Sequence, residues 1–185
     1  CIYYHDSVYV QEIDFPIQVR SGNNIVAFLD QYEDGLRVFY KGETKTIESF
    51  NPRSFVVGND LMAYTTREGI FRIFWNGKVF EIGNYIPTFL EVKDNIIVYG
   101  DRVRYSYAFY KGKSYPLENF IPASININQS TFFYYDQSNR LKIFSKGKLS
   151  AMPIETYLSV SNDYDVVKMQ LSGNQYRFFS GGKTY

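Results

Sequence analysis

His5 is the only histidine and Cys1 the only cysteine in the sequence. A Ser-His-Asp or Cys-His nucleophile needs a base held by a third group, and no Asn or Asp partner can be assigned to this pair. One Cys and one His also fall short of the three or four ligands of a zinc site. Carboxylates are numerous, but Asp30, Glu33, Asp34, Glu48, Asp94, Asp101, Glu118, Asp136 and Asp163 fall in turns and at strand ends. A glycoside hydrolase needs two acids facing one pocket, and no such pair can be named. Asp30-Gln31-Tyr32-Glu33-Asp34 has the oxygens of a calcium loop without its spacing, and reads as a solvated hairpin loop. No Gly-x-Gly-x-x-Gly run, phosphate-binding loop or nucleophile elbow is present. The expectation is a chain without catalytic residues, cofactor or metal.

Two rows of residues with binding chemistry remain. Arg37, Arg72, Lys142 and Arg177 share one register position, where Tyr107 is the exception. They read either as a basic ring that grips an acidic segment, or as a solvent-facing row whose aliphatic stems cover aromatic neighbours. Tyr40, Trp75 and Tyr110 share another, replaced by Ser145 and Ser180. Such rings suit a partner protein or a sugar face, and they equally suit rim packing.

Both rows belong to a phrase that recurs: Arg37-Val38-Phe39-Tyr40-Lys41-Gly42, Arg72-Ile73-Phe74-Trp75-Asn76-Gly77, Tyr107-Ala108-Phe109-Tyr110-Lys111-Gly112, Lys142-Ile143-Phe144-Ser145-Lys146-Gly147 and Arg177-Phe178-Phe179-Ser180-Gly181-Gly182. The five final glycines stand 35 residues apart without drift. One period earlier, Tyr4-His5-Asp6-Ser7 reads as a weaker sixth copy centred on Ser7. Each dipeptide ending in these glycines separates two strand-like runs, where a two-residue hairpin turn selects positive φ. Phe39, Phe74, Phe109, Phe144 and Phe179 read as core between sheets.

Each repeat carries four short strand signals. In the unit 23–58 they are 25–29, 36–40, 43–48 and 54–57; in 59–93 they are 61–65, 70–75, 78–82 and 89–92; in 94–128 they are 96–99, 105–110, 113–117 and 124–127. The unit 129–163 keeps the strands, and partial units occupy 1–22 and 164–185. Ser7 to Ile13 and Ile17 to Arg20 are the strand signals of the first partial unit. Pro52, Pro87 and Pro122 mark connections, since proline cannot donate in a ladder. The 19% aromatic content, rich in β-branched neighbours, agrees with half-buried pleated surfaces. Helical solenoids of similar period show a 3.6-residue pattern that is absent here.

Four short strands per repeat resemble the blades of β-propeller repeat proteins over essentially the whole chain. The Gly-His and Trp-Asp marks of WD40 repeats and the paired glycines of kelch repeats are missing, so no named family follows. The resemblance implies an all-β fold, one domain over 1–185, of about five four-stranded blades. Five units of 35 use 175 of the 185 residues. The ring would close by pairing of the N- and C-terminal strands, which hides open edges; the alternative is an arc of a larger propeller.

A formal charge of +1 supplies no field for a polyanion, which argues against nucleic acid. No apolar run approaches the ~20 residues that span a bilayer. Cys1 reads as a lipidated lipoprotein terminus or as a fragment boundary. Usage of Tyr, Phe, Asn, Ile and Lys resembles that of A+T-rich bacterial genomes. The functional expectation is a protein-binding scaffold, extracytoplasmic, in the periplasm or associated with the outer membrane, and part of a bacterial envelope or secretion complex. The alternative is a glycan-binding or glycoside-hydrolase-like propeller using Trp75 and the carboxylates.

Overall fold

The computed structural model describes residues 1–10, 16–30 and 34–185. It divides into two compact units, Cys1–Pro87 and Thr88–Tyr185. In the first, β1 (Ile2–Tyr4) and β2 (Ser7–Tyr9) form a two-stranded sheet. β3 (Pro16–Ser21), β4 (Ile25–Asp30), β5 (Leu36–Tyr40) and β6 (Glu43–Glu48) make a four-stranded meander. β7 (Ser54–Val57), β8 (Leu61–Thr65), β9 (Phe71–Trp75) and β10 (Lys78–Gly83) make another.

The second unit has three such meanders. They are β11 (Phe89–Lys93), β12 (Ile96–Gly100), β13 (Ser106–Tyr110) and β14 (Lys113–Glu118); β15 (Asn126–Asn128), β16 (Thr131–Tyr135), β17 (Leu141–Ser145) and β18 (Lys148–Ala151); and β19 (Ser159–Asp163), β20 (Val166–Gln170), β21 (Tyr176–Ser180) and β22 (Lys183–Thr184). All neighbouring strands are antiparallel. A single 3-10 turn, Ser172–Asn174, is the one helical element among the described residues, and no described helix is long and apolar enough to cross a membrane.

Burial explains the strand pattern. Central strands such as β8 and β12 are buried throughout, so they read as unbroken apolar runs, whereas Glu43 to Thr46 of the outer β6 are exposed and polar. Consecutive sheets of one unit meet face to face: Ile25, Ala27 and Val38 against Phe55, Met62 and Phe74, then Ile96, Val98 and Ala108 against Phe132 and Phe144. Leu141, Ile143 and Met152 do the same against Val167, Met169 and Phe179. Each of the larger of these side chains, Val, Leu, Ile, Phe or Met, contributes about 2 kcal/mol on leaving water.

The sheets run one strand out of phase with the repeat units counted from Asn23. Ser54–Val57, the fourth signal of the unit 23–58, pairs with Leu61–Thr65, the first signal of the next. The prolines at 52 and 87 accordingly sit in connections between sheets, as Pro122 does. Lys41–Gly42, Asn76–Gly77 and Lys146–Gly147 have positive φ at both residues, the geometry of a tight hairpin turn.

Two expectations need correction. The sixth hairpin exists, but its turn is His5–Asp6, with Tyr4 opposite Ser7, one residue before the position the period indicates. Its two strands pair with each other, and the four strands of the C-terminal sheet all come from Ser159–Thr184. Among the described residues, no N-terminal strand pairs with a C-terminal one, so the expected shared blade is not formed by them. The strand extension over Gln11–Ile13 and most of the loop Asp30–Asp34 lie outside the described residues.

Candidate functional site

Within each unit, the antiparallel course gives the sheets two unlike ends. First-to-second and third-to-fourth strand turns lie at one end, and these are short. The second-to-third strand loops and the connections to the next sheet lie at the other.

The aromatic row flanks the short-turn end. Tyr40 stands edge-on to Phe74, with ring centroids 5.5 Å apart at 85°, and Tyr110 to Phe144 at 6.4 Å and 83°. Tyr4 of the first hairpin meets Phe39 in the same way at 5.7 Å. Tyr110 is only 8% exposed. Lys41 and Lys111 each place an ammonium over the preceding tyrosine, at 5.2 and 5.5 Å from the ring centre. Trp75 is half-buried beside Phe80, 6.3 Å away. Tyr40 and Tyr110 thus make similar contacts to the next sheet, whereas Trp75 packs within its own.

The basic row is engaged by carboxylates of the chain itself. Arg72 bridges Glu48 at 2.6 Å and Glu81 at 3.0 Å, Lys142 lies 3.3 Å from Glu118 and 3.6 Å from Asp136, and Arg177 lies 2.9 Å from Glu155. Tyr107, the odd member, stacks on Tyr99 with centroids 5.4 Å apart and donates to Asp101 at 3.3 Å. Arg37, half-buried in β5, also has an interaction within the chain. Glu48 raises the affinity of the Arg72 guanidinium for its proton against the opposing effect of burial.

The long-loop end differs in character. It carries Phe50 and Ile86 in the first unit, and Val103, Tyr105, Tyr135, Ile154 and Leu158 in the second, all large apolar groups left in solvent. Ile154 is 87% exposed and Val103 66%. Five-residue loops support this end. Asp101 accepts from the backbone N–H groups of Val103 and Tyr105 at 2.9 Å, and Asp136 from those of Ser138 and Arg140 at the same distance. Burial works against the charge of Asp136, yet the two backbone donors and Lys142 hold its pKa below the usual carboxylate value. The fourth residue is left-handed in four of these loops: Gly69, Arg104, Asn139 and Asn174.

In the second unit these loops enclose a cleft of about 520 Å³. Val103 and Arg104, Asn119 to Ile121 with Ala123, and Tyr135 to Gln137 line it. Of these residues, sequence reasoning named only Asp136, as one carboxylate among many. The signal was available in the repeat alignment, where Arg104 occupies a position otherwise held by Asp34, Gly69, Asn139 and Asn174.

Repeated four-stranded antiparallel meanders, packed in series with tight turns at one end, define a β-propeller repeat protein. A family model described as the 10-bladed beta propeller domain matches residues 1–185, and the chain belongs to that family. The description of that family fits the alternative of an arc from a larger propeller. No curated protein matches the sequence. Among solved structures, human WBSCR16 is similar at 7% identity with a TM-score of 0.49, over 92% of this chain and 64% of that one. Prp20p from Saccharomyces cerevisiae is similar at 10% identity with a TM-score of 0.46, over 88% and 56%. The N-terminal domain of Nup159 gives 12% identity and 0.43, over 94% and 62%. The chain thus spans about three-fifths of the length of these structures.

Proposed function

We propose that this chain is a non-catalytic scaffold that binds another protein through the long-loop end of its sheets. The observation that carries the proposal is the set of exposed apolar and aromatic side chains there in the second unit, Val103, Tyr135, Ile154 and Leu158, mounted on packed sheets. A rigid mount lowers the ordering cost of binding, and large side chains supply contact area. Tyr40, Trp75 and Tyr110 and the basic residues Arg37, Arg72, Lys142 and Arg177 engage other residues of the chain and are not part of the proposed face.

The glycan-binding alternative needs free carboxylates and an open aromatic face. Glu48, Asp101, Glu118 and Asp136 all accept from donors of the chain, which favours the scaffold reading. The proposal extends to a partner in a bacterial cell-envelope or secretion assembly, with the chain outside the cytoplasm. Photo-crosslinking amino acids at Val103 and Ile154, compared with Asn76 at the short-turn end, test it in the native host. A discrete crosslinked species is expected from the first two positions only. Equal yield from Asn76, or none from any position, overturns the reading.

A further inference from the structure

Arg104 lines the cleft as an exposed cation, and neither it nor Arg102 has an ion-pair partner among the described residues. The cleft's own acid, Asp136, does not neutralise it. One Asp136 oxygen accepts from the Ser138 and Arg140 N–H groups, and the other faces Lys142. Arg104 is also held at φ +70°, where the equivalent loop residues are Gly69, Asn139 and Asn174. Outside tight hairpin turns, a residue with a long side chain adopts that conformation much less readily than Gly, Asn or Asp. An unpaired guanidinium kept in an unfavourable backbone region beside a cleft is a pattern found at recognition sites.

The remaining walls set the class of ligand. Val103, Phe120 and Tyr135 present aliphatic and aromatic surface, while Asn119 and Gln137 supply amides at the rim. We propose that this cleft binds a linear peptide segment of a partner protein in which an Asp or Glu pairs with Arg104. A Leu, Ile or aromatic side chain within two residues of that acid packs against Val103, Phe120 and Tyr135. A guanidinium takes a carboxylate bidentately, and the flanking apolar wall excludes water from the pair. The cleft is open to solvent, which leaves room for a peptide segment to lie across it. An acidic sugar would call for more planar polar groups than the two amides present. The inference rests on the protein-binding reading and specifies its site.

The test selects a random heptapeptide display library against the intact chain and measures the enriched peptides by fluorescence anisotropy. Enriched sequences are expected to carry Asp or Glu within two residues of Leu, Ile, Phe or Tyr. Their affinity is expected to fall at least about tenfold on R104G and R104E. R104G separates binding from folding, because glycine suits the loop and its thermal midpoint should not drop. Peptides lacking an acid, affinities unchanged by R104G, absence of any enriched peptide, or binding of acidic oligosaccharides in place of peptides each overturn the proposal. Crosslinking from Ile154 that persists in R104E, with no peptide selected, would remove the cleft and leave the scaffold reading standing. Loss of crosslinking from both Val103 and Ile154 in the unmodified chain would remove the scaffold reading itself.

Discussion

Glu48, at the end of one sheet's last strand, accepts two hydrogen bonds at a single oxygen from the following sheet, one from Arg72 at 2.6 Å and one from the Tyr64 hydroxyl at 2.7 Å. The arrangement recurs with Glu118, which faces Lys142 at 3.3 Å and accepts from Tyr134 at 3.0 Å. A one-residue bulge precedes each glutamate, since Leu36 pairs with Glu48 while Arg37 pairs with Thr46, and Ser106 with Glu118 while Tyr107 pairs with Pro116. Bulges re-aim side chains, and these turn a carboxylate towards the neighbouring sheet.

Removing that carboxylate strands two buried or half-buried donors. Glu48→Ala is expected to destabilise the chain by about 2–3 kcal/mol, because Tyr64 and Arg72 lose their common acceptor. Glu48→Ala combined with Arg72→Met should cost less than the two single changes added. Urea unfolding of the double-mutant cycle measures the coupling; strict additivity would show that the pair is only an exposed contact.

Alkaline pH should weaken the same contacts. Burial, followed for Tyr64 by the hydrogen bond to Glu48 and for Tyr134 by the charge of Glu118, pushes both phenols well above their ordinary value. A folded-state pKa above the unfolded one contributes stability that is complete below about pH 10 and declines as pH rises beyond it. Unfolding free energy should therefore fall above about pH 10, and Tyr64→Phe with Tyr134→Phe should flatten that limb.

The acid limb has the opposite sign. Burial opposes ionisation of Asp165, but the Ser130 donors and Lys146 prevail and lower its pKa, as the loop donors and Lys142 do for Asp136. Depressed folded pKa values contribute stability above about pH 4 that is lost as pH falls through them. Asp165→Asn should reduce the loss seen on titrating from about pH 5 to 2, as followed by thermal midpoint.

Two turn glycines separate backbone strain from crowding. Gly77 and Gly147 have φ of +76° and +86°, but an added Cβ meets nothing within 4 Å at Gly77 and lies 2.8 Å from the Tyr115 hydroxyl at Gly147. Gly77→Ala should cost about 1 kcal/mol, the left-handed penalty alone. Gly147→Ala should cost more, since Tyr115 must shift from its place beside Phe144. Equal losses would mean that Tyr115 moves freely.

Arg104→Gly offers a gain. Relief of its left-handed backbone should raise stability by about 0.5–1 kcal/mol, after allowance for the greater freedom of glycine in the unfolded chain. A lower thermal midpoint would show that the arginine side chain contributes packing that outweighs its strain.

Much of this architecture was legible because the governing forces are local. The Lys41–Gly42 type of turn demands positive φ from adjacent residues, so its 35-residue recurrence marks hairpins wherever the chain folds. The slip at His5–Asp6 was not legible, because a turn without glycine leaves only strand pairing to set its position. The Glu48 contact was partly visible. Glu48 and Glu118 precede Arg72 and Lys142 by the same 24 residues, and where that carboxylate position holds Gly83 the basic position holds Tyr107. Without the bulges, nothing in the alternation of strands indicates that the two positions meet.

What the chain's residues determined unaided was the identity and order of its strands and tight turns, because hydrogen-bonded hairpins and apolar alternation act between near neighbours. Which strand begins a sheet, which carboxylate engages each arginine, and which end bears the open cleft were decided only by tertiary packing. Those outcomes depend on close approach between residues one repeat apart, where burial leaves Arg72 a partner and leaves Arg104 without one.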